Sequence, residues 1–311
     1  MEIINNIFDW KAPTKTILTL GTFDGVHVGH QKIIKKLLKQ QEKTPAPTVV
    51  LTFFPHPRMV LQQDQSLKLL NTIEERIELL QNLGIDCLVV HPFDYEFSRL
   101  TAEEFVEKVL VQHANIQNII IGYDHRFGRN RTANITDLEQ FGKQFGFDVT
   151  QISAKEVDEI SVSSTKIRNA LIEGDIATAN TYLGYHYFLT GSVQKGKQLG
   201  RSIGFPTANL QLAAVYKLVP KNGVYIVQST LLGKTVYGMM NIGNNPTVDG
   251  TQQHLEVHFF DWNNDLYQQT IRVELLHKTR EEIKFDTMVD LKKQLELDQQ
   301  EILQWLKEQK R

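Results

Sequence analysis

The feature that most constrains the fold of this chain is a change of pattern near residue 183. Before that point, short apolar runs alternate with amphipathic segments whose apolar residues recur at helical spacing. The predicted strands are Thr16–Leu20 and residues 48–54, 86–90 and 118–121, and the predicted helices are residues 31–40, 72–83, 101–112, 135–145 and 164–183. Thr101 and Glu104 form a capping-box pattern at the start of one of these helices. This alternation predicts a doubly wound parallel α/β sheet.

The second part of the chain carries glycine-rich turns between short strands, and a helix is predicted only at its end. The predicted strands are residues 223–230, 235–242, 254–260 and 270–276. Such a series is typical of an antiparallel barrel or sandwich. A terminal helix is predicted over residues 287–307, with one side formed by Met288, Leu291, Leu295, Ile302 and Trp305. We therefore predict an α/β domain at residues 1–183 and an all-β domain at residues 184–311.

Composition limits the classes of function. The chain has 311 residues, which favours two domains, and 34 Lys and Arg against 36 Asp and Glu give no general attraction to nucleic acid. The single cysteine, Cys87, excludes an intramolecular disulfide framework and a cysteine zinc cluster. The first 20 residues lack a signal-peptide pattern, and no apolar run is long enough to span a bilayer. We expect a cytoplasmic protein with small-molecule substrates and without an obligatory protein, nucleic-acid or membrane partner.

The strongest local signal lies between the first predicted strand and the first predicted helix, where residues 21–30 read Gly-Thr-Phe-Asp-Gly-Val-His-Val-Gly-His. Open α/β sheets bind ligands at this position, and a helix N-terminus attracts phosphate. The spacing of His27 and His30 lets both imidazoles contact one phosphate chain, although two such histidines can also be capping or solvated groups. The candidate residues in this segment are Gly21, Phe23, Asp24, Gly25, His27, Gly29 and His30.

Three further segments follow predicted strands in the same part of the chain, at residues 54–57 (Phe-Pro-His-Pro), 122–128 (Gly-Tyr-Asp-His-Arg-Phe-Gly) and 162–168 (Val-Ser-Ser-Thr-Lys-Ile-Arg). Together with residues 21–30, they resemble the FMN adenylyltransferase module of the prokaryotic bifunctional riboflavin kinase/FAD synthetase family. The resemblance implies that FMN and ATP react to give FAD and pyrophosphate. It assigns ATP phosphates to Ser164, Thr165, Lys166 and Arg168, and flavin to His56, Asp124 and Phe127.

Each of these assignments has a structural alternative. The hydroxyl residues 163–165 can act as a plain helix N-cap, which is compatible with phosphate binding. His56, between two prolines, can simply stabilise a turn, and Asp124 can cap a loop.

The second part of the chain has its own phosphate-binding candidate, at residues 191–210. Glycines free the backbone to fold around phosphates, and Lys and Arg supply positive charge; the candidates are Gly191, Gly196, Lys197, Gly200 and Gly204. Thr207 and Asn209 present neutral oxygens at alternating positions, which suit a hard cation such as Mg²⁺. On glycine density alone, a flexible basic hairpin is the favoured explanation of this run, and only its ending at residues 206–209 (Pro-Thr-Ala-Asn) shifts the balance towards a binding site.

The same run resembles the riboflavin kinase signature, and residues 222–225, 241–247 and 255–261 continue the resemblance in family order. The resemblance implies a C-terminal barrel that phosphorylates riboflavin with ATP and Mg²⁺. It assigns the catalytic base to Glu256 and flavin contacts to Arg280, Glu281 and Phe285. By sequence alone, Glu256 could equally be an exposed strand residue.

Three positions depart from the family pattern. His125 stands where phenylalanine is usual, Lys166 where arginine is common, and Gln268 where glycine usually follows Asp-Leu-Tyr. His125 leaves open a working kinase beside a weak adenylyltransferase. A flavin-binding regulatory protein without turnover is the alternative from another class.

Overall fold

The computed structural model describes residues 1–63, 66–122, 125–153, 162–196, 199–247 and 250–309. The chain divides into two units, Met1–Ser164 and Thr165–Arg311. Asp124 and Lys197, both predicted site residues, lie outside the described residues.

Six parallel strands form the centre of the first unit. They are β1 (Glu2–Ile4), β2 (Thr16–Leu20), β3 (Thr48–Phe53), β4 (Cys87–His91), β5 (Ile116–Gly122) and β6 (Asp148–Ile152). Their order in the sheet is β1-β4-β3-β2-β5-β6, and each neighbouring pair is parallel. Because β2 lies between β3 and β5, the sheet has its topological switch point beside the carboxyl end of β2.

Helices cover both faces of this sheet. They are α1 (Val28–Lys43), α2 (Pro57–Leu61), α3 (Ile73–Asn82), α4 (Tyr95–Ser98), α5 (Ala102–Glu104), which continues as a π-helix over Phe105–His113, and α6 (Ile135–Phe145). Ile17 packs with residues of α1 and α3 on one face, whereas its neighbour Leu18 packs with the π-helix on the other. The predicted doubly wound sheet is confirmed, as is the capping box of Thr101 and Glu104.

The second unit contains a closed six-stranded antiparallel barrel with the order β10-β11-β8-β7-β12-β9. Its strands are β7 (Phe188–Gln194), β8 (Ala208–Leu212), β9 (Gly223–Leu231), β10 (Lys234–Thr247), β11 (Gly250–Phe259) and β12 (Thr270–Arg280). The helices along this part of the chain are α7 (Ser164–Glu173), α8 (Ile176–Leu183), α9 (Leu199–Ser202) and α10 (Met288–Gln309). The sequence pattern predicted a barrel or a sandwich, and the closed sheet confirms the barrel.

The structure differs from the sequence prediction at residues 164–183, where two helices replace the single predicted one. Gly174 takes a φ of 84°, a left-handed conformation that ends α7. The Asp175 carboxylate then accepts the Thr178 backbone N–H at 3.0 Å and caps α8.

The terminal helix α10 packs on the outside of the barrel. Its Ile302 and Leu306 share an apolar cluster with Phe205, Val224 and Phe260. Met288, the first residue of this helix and predicted on its buried side, is instead 41% exposed.

Candidate active sites

The loop that follows β2 is tightly bent at the switch point of the sheet. Phe23, Gly25 and Val26 have φ values of 48°, 89° and 37°, all in the left-handed region. The side chains of Phe23 and Val26 are buried in the core of the first unit and hold this loop in place. Gly21 faces the Phe23 ring, which would lie 3.3 Å from a β-carbon at residue 21. The loop therefore has a fixed shape where it reaches α1.

His27 and His30 form a stacked pair at the start of α1. The ring centroids are 3.7 Å apart with an interplanar angle of 18°. His27 is the N-cap residue, and its Nδ1 accepts the backbone N–H of His30 at 3.4 Å. A β-carbon at Gly29 would lie 3.1 Å from the His27 ring, so glycine between the histidines gives that ring its place over the first turn. The spacing His-x-Gly-His thus has a packing explanation.

Burial favours the neutral form of both histidines. Burial lowers the pKa of His27 to about 4, although the nearby Asp24 carboxylate partly opposes the shift. Burial also holds the pKa of His30 well below its usual value, and His27 and Arg76 lower it further. Because the His27 Nδ1 accepts a hydrogen bond, its Nε2 carries the proton and can donate to a phosphate oxygen. The pair therefore offers hydrogen bonds to a phosphate chain, without full positive charges.

Asp24, predicted to bind phosphate, is fully buried and its carboxylate faces the protein. Its Oδ1 accepts the backbone N–H groups of Leu70 at 2.9 Å and Asn71 at 3.3 Å. The same oxygen lies 3.9 Å from Nη2 of the fully buried Arg76. The Asp24 carbonyl accepts the Ser164 hydroxyl at 2.9 Å. These contacts give Asp24 a role in fixing the loop.

Arg76 is a functional candidate that the sequence analysis missed. Its Nη1 donates to the Phe53 carbonyl at 3.3 Å and the Thr52 hydroxyl at 3.4 Å, so it joins the end of β3 to the loop after β2. In sequence, Arg76 lies between Ile73 and Leu80 at apolar helical spacing. A charged residue on the inward face of a helix is the signal that could have identified it.

The predicted phosphate-binding residues after Ser164 follow on α7. Thr165 and Lys166 are exposed, and Arg168 is half-buried. They belong to the second unit.

Two of the predicted flavin residues in the first unit have structural roles. His56 is the N-cap of α2, where its Nδ1 accepts the Arg58 backbone N–H at 3.1 Å. Phe127 is 7% exposed and belongs to the main core, with its ring centroid 6.0 Å from that of Phe105. The His125 ring stacks on Phe127 at 6.2 Å. A flavin contact of His56 or Phe127 stays a prediction.

An aromatic cluster at the carboxyl ends of β3 and β4 was also missed. Phe53 lies 5.6 Å from Phe93 and 5.7 Å from Phe97 between ring centroids, and His91 lies 4.2 Å from Phe97. Phe93 and Phe97 are half-buried. This edge of the sheet therefore presents an apolar aromatic wall, which suits a flat ring system.

In the second unit, Glu256 lies beside the two predicted metal ligands. Glu256 of β11 pairs directly with Asn209 of β8, so the two side chains point to the same face of the barrel wall. The Thr207 hydroxyl donates to Glu256 Oε2 at 3.4 Å. All three residues are half-buried, whereas Leu255 and Val257 are buried on the opposite face. The structure thus brings together three oxygen-bearing side chains.

The glycines of residues 191–204 allow close approaches around this group. The Asn209 side chain occupies the position that a β-carbon at Gly196 would take. Gly191 lies inside β7, between β8 and β12, and its role there is strand packing. Gly200 lies in α9, and Gly204 takes a φ of 92° in the turn that follows.

Arg280 and Glu281, predicted to contact flavin, are engaged in ion pairs. The Arg280 Nε and Nη2 donate to the two carboxylate oxygens of Asp298 at 2.9 and 2.7 Å. Glu281 is exposed and lies between Lys278 at 2.7 Å and Lys221 at 3.0 Å. Hydrogen bonds from these lysines, that from Lys278 first, lower the Glu281 pKa. Phe285 is half-buried in the segment between β12 and α10.

Fold and site together define the class of protein. A histidine pair at the switch point of a parallel α/β sheet is an arrangement for binding the phosphates of a nucleotide. A carboxylate beside hydroxyl and amide oxygens, next to a glycine-rich segment, suits phosphoryl transfer to a hydroxyl. These arrangements are typical of nucleotide-using transferases.

Comparison with known proteins specifies the family. Residues 9–166 match the FAD synthetase family, and residues 183–306 match the riboflavin kinase family. The bifunctional riboflavin kinase/FMN adenylyltransferase of Haemophilus influenzae is 38% identical over 90% of this chain and 91% of its own length. That of Escherichia coli K12 is 36% identical over 96% of both chains. The crystal structure of a protein described as a macrolide-efflux protein, from Streptococcus pneumoniae, has 33% identity to this chain and a TM-score of 0.87, over 96% of this chain and 97% of that one.

The chain belongs to the family of bifunctional riboflavin kinase/FMN adenylyltransferases. It is an enzyme of FAD biosynthesis, as the sequence motifs predict. Among the described residues, no helix combines the length and the apolar character that a membrane span requires.

Proposed function

We propose that the two reactions of this family take place at two separate sites of the chain. FMN forms from riboflavin and ATP at Thr207, Asn209 and Glu256, and FAD forms from FMN and ATP at His27 and His30. The observation that supports this assignment is the division of these residues between the two units, Met1–Ser164 and Thr165–Arg311. We assign residues 1–183 to adenylyl transfer and residues 184–311 to the kinase, in the cytoplasm where ATP is available.

Adenylyl transfer needs no protein nucleophile. A phosphate oxygen of FMN attacks the α-phosphorus of ATP, the bond to the β-phosphate oxygen breaks, and pyrophosphate leaves. The neutral His27 and His30 donate hydrogen bonds to the phosphate chain, and the bent loop at Gly21, Phe23 and Gly25 leaves the backbone close to it. Asp24 positions that loop.

The sequence resemblance supplies the remaining groups of this reaction. Ser164, Thr165, Lys166 and Arg168 are proposed to bind the departing pyrophosphate. The wall formed by Phe53, Phe93 and Phe97 is proposed to contact the flavin ring, together with His56 and Asp124.

In the kinase reaction, Glu256 is proposed to accept the proton of the ribityl 5′-hydroxyl while that oxygen attacks the γ-phosphorus of ATP. ADP then leaves. Gly196, Lys197, Gly200 and Gly204 lie in the segment proposed to surround the phosphates. Arg280, Glu281 and Phe285 are proposed to close over flavin.

The residues around Glu256 fit a magnesium ion that arrives with a nucleotide. Mg²⁺ takes hard oxygen ligands and is usually held by one or two protein groups together with substrate phosphates. The Thr207 hydroxyl and the Asn209 amide supply such oxygens beside the Glu256 carboxylate. When bound, the ion would neutralise negative charge on the phosphates.

The first experiment is chromatographic separation of flavins after incubation of the purified chain with riboflavin, ATP and Mg²⁺. We expect FMN to accumulate first and FAD to follow. Glu256→Ala should abolish FMN formation and leave FAD formation from supplied FMN largely intact. His30→Ala should abolish FAD formation and leave FMN formation largely intact. Loss of both activities in either folded variant would contradict the separate-site assignment. FMN as the sole product of the wild type would point to the adenylyl pocket and His125.

A further inference from the structure

The strand that carries Glu256 is joined to the segment that carries the proposed metal ligands by a short ladder. Within the described residues, the register of β8 and β11 comprises two pairs, Glu256 with Asn209 and Val257 with Ala208. The next pair along this ladder would join His258 to Thr207. Thr207 therefore lies just beyond the backbone pairing that holds Asn209.

The His258 side chain continues the connection where this ladder ends. Its Nδ1 lies 2.8 Å from the Pro206 carbonyl oxygen. A carbonyl oxygen only accepts hydrogen bonds, so Nδ1 carries the proton and donates. The imidazole packs edge-on against Phe205 at 5.1 Å and Phe260 at 5.8 Å between ring centroids. These two contacts restrict rotation of the donor away from its acceptor.

The side chains of His258 and Glu256 lie on the same face of β11. His258 follows Glu256 by two residues, so both side chains point to one face of β11. Pro206 directly precedes Thr207, and Phe205 belongs to the apolar cluster under α10. A displacement of Pro206 would therefore move the Thr207 hydroxyl relative to the Glu256 carboxylate.

We propose that His258 is a positioning residue of the kinase site, because its Nδ1–H holds Pro206, and with it Thr207 and Asn209, against the strand of Glu256. This inference rests on the proposed function of those three residues. Misplacement of reacting groups by about 1 Å can reduce a rate by a factor on the order of 100. We expect loss of the hydrogen bond to lower kcat/KM for magnesium ATP in the kinase reaction by about tenfold or more.

Three substitutions separate the hydrogen bond from the bulk of the ring. His258→Asn places an amide N–H close to the position of Nδ1, His258→Gln places it close to Nε2, and His258→Phe keeps a ring without a donor. Riboflavin kinase kcat and KM are measured on the full chain, with FAD formation from supplied FMN as the control in the same molecule. Amide hydrogen exchange of a peptide covering residues 199–209 measures how firmly this segment is held, independently of enzyme activity.

We expect His258→Asn to retain kinase activity within about threefold of the wild type and an unchanged exchange rate. His258→Phe and His258→Gln should lose kinase efficiency, exchange faster in residues 199–209 and keep FAD formation. Wild-type kinetics and exchange in His258→Phe would overturn the proposal, and so would equal impairment in His258→Asn and His258→Phe. If Glu256→Ala still forms FMN, the proposed kinase site is wrong, whereas the exchange measurement still tests the connection to Pro206.

Discussion

At the scale of single residues, the backbone conformation of Gln268 explains why the family pattern has glycine at this position. Gln268 stands where the family pattern has glycine, and its φ is 63°, in the left-handed region. Its backbone N–H donates to the Val193 carbonyl at 2.9 Å, so the turn before β12 keeps its hydrogen bond despite the substitution. A residue with a β-carbon pays about 1–2 kcal/mol for this conformation, whereas glycine adopts it freely.

We therefore expect Gln268→Gly to raise the free energy of unfolding of the second unit by about 0.5–1 kcal/mol. Glycine relieves the backbone strain, and this gain exceeds the larger loss of chain entropy that glycine suffers on folding. Urea unfolding in a Trp10→Phe background, followed by the fluorescence of Trp262 and Trp305, measures the change. Gln269→Gly is the comparison: Gln269 does not take a positive φ and its side-chain amide donates to the Asp265 carbonyl at 2.9 Å, so its replacement should destabilise. Destabilisation by both substitutions would show that the left-handed turn carries no strain.

At the scale of elements, the end of β12 and the helix α10 are joined by one buried ion pair. Asp298 is 1% exposed, accepts both Arg280 hydrogen bonds and also accepts the Gln294 side-chain amide at 2.9 Å. A buried carboxylate is tolerated only when its charge is paired and its oxygens are hydrogen-bonded. This pair fixes α10 over Phe205, which precedes the proposed metal ligands in the chain.

Asp298→Ala should lower the free energy of unfolding of the second unit by about 3–5 kcal/mol, because it leaves the Arg280 guanidinium without its buried partner. Glu296→Ala, on the same helix, removes one end of an exposed pair with Lys292 and should change stability by less than about 1 kcal/mol. The same fluorescence-detected urea unfolding compares the two variants. A small effect of Asp298→Ala would mean that α10 packs without the ion pair.

At the scale of the whole molecule, the two units differ in their buried histidines. Burial lowers the pKa of His27 and of His91 to about 4, and it also lowers the pKa of His30. All three lie in the first unit. In the second unit, burial lowers the pKa of His258, an effect that its hydrogen bond to Pro206 opposes.

We expect the first unit to lose stability as the pH falls from about 6.5 to about 4. In this range the unfolded chain binds protons at these histidines and the folded unit does not, so stability rises with pH. A pKa lowered from 6.5 to about 4 corresponds to at most about 3.4 kcal/mol for each of His27 and His91, because one pKa unit is about 1.4 kcal/mol.

Thermal unfolding of a Trp262→Phe, Trp305→Phe variant tests this expectation, because Trp10 then reports on the first unit alone. The midpoint temperature of the first unit should decrease when the pH is lowered from about 7 to about 5. This decrease should be larger than that of the second unit, measured in a Trp10→Phe variant. A first-unit midpoint that does not change over this range would show that the histidines are not kept neutral by folding.

Part of the fold and of the site followed from local sequence signals. The strand Thr16–Leu20 and the helix over residues 135–145 have the predicted bounds, since apolar periodicity and caps act within one element. The proximity of His27 to His30 follows from their spacing in one short motif, whereas Glu256 was singled out only by the family resemblance, and the structure places it beside Thr207 and Asn209. The break at Gly174 was missed because the helical pattern continues past it, and only its φ of 84° distinguishes it from a tolerated helical glycine.

The sequence by itself determined the alternation of strands and helices in the first part of the chain, the change from an α/β to an all-β pattern, and the short motifs that resemble those of the family. Four short strands, β1, β6, β7 and β8, were not among the predicted elements. Only the tertiary structure decided which polar side chains pair with other groups of the protein. Asp24 meets Arg76, Arg280 meets Asp298 and His258 meets Pro206 across long separations in the chain. Such pairs form only when the fold brings distant segments of the chain together. A polar group that is buried away from water requires a hydrogen-bond or charge partner, and the local sequence does not specify which residue supplies it.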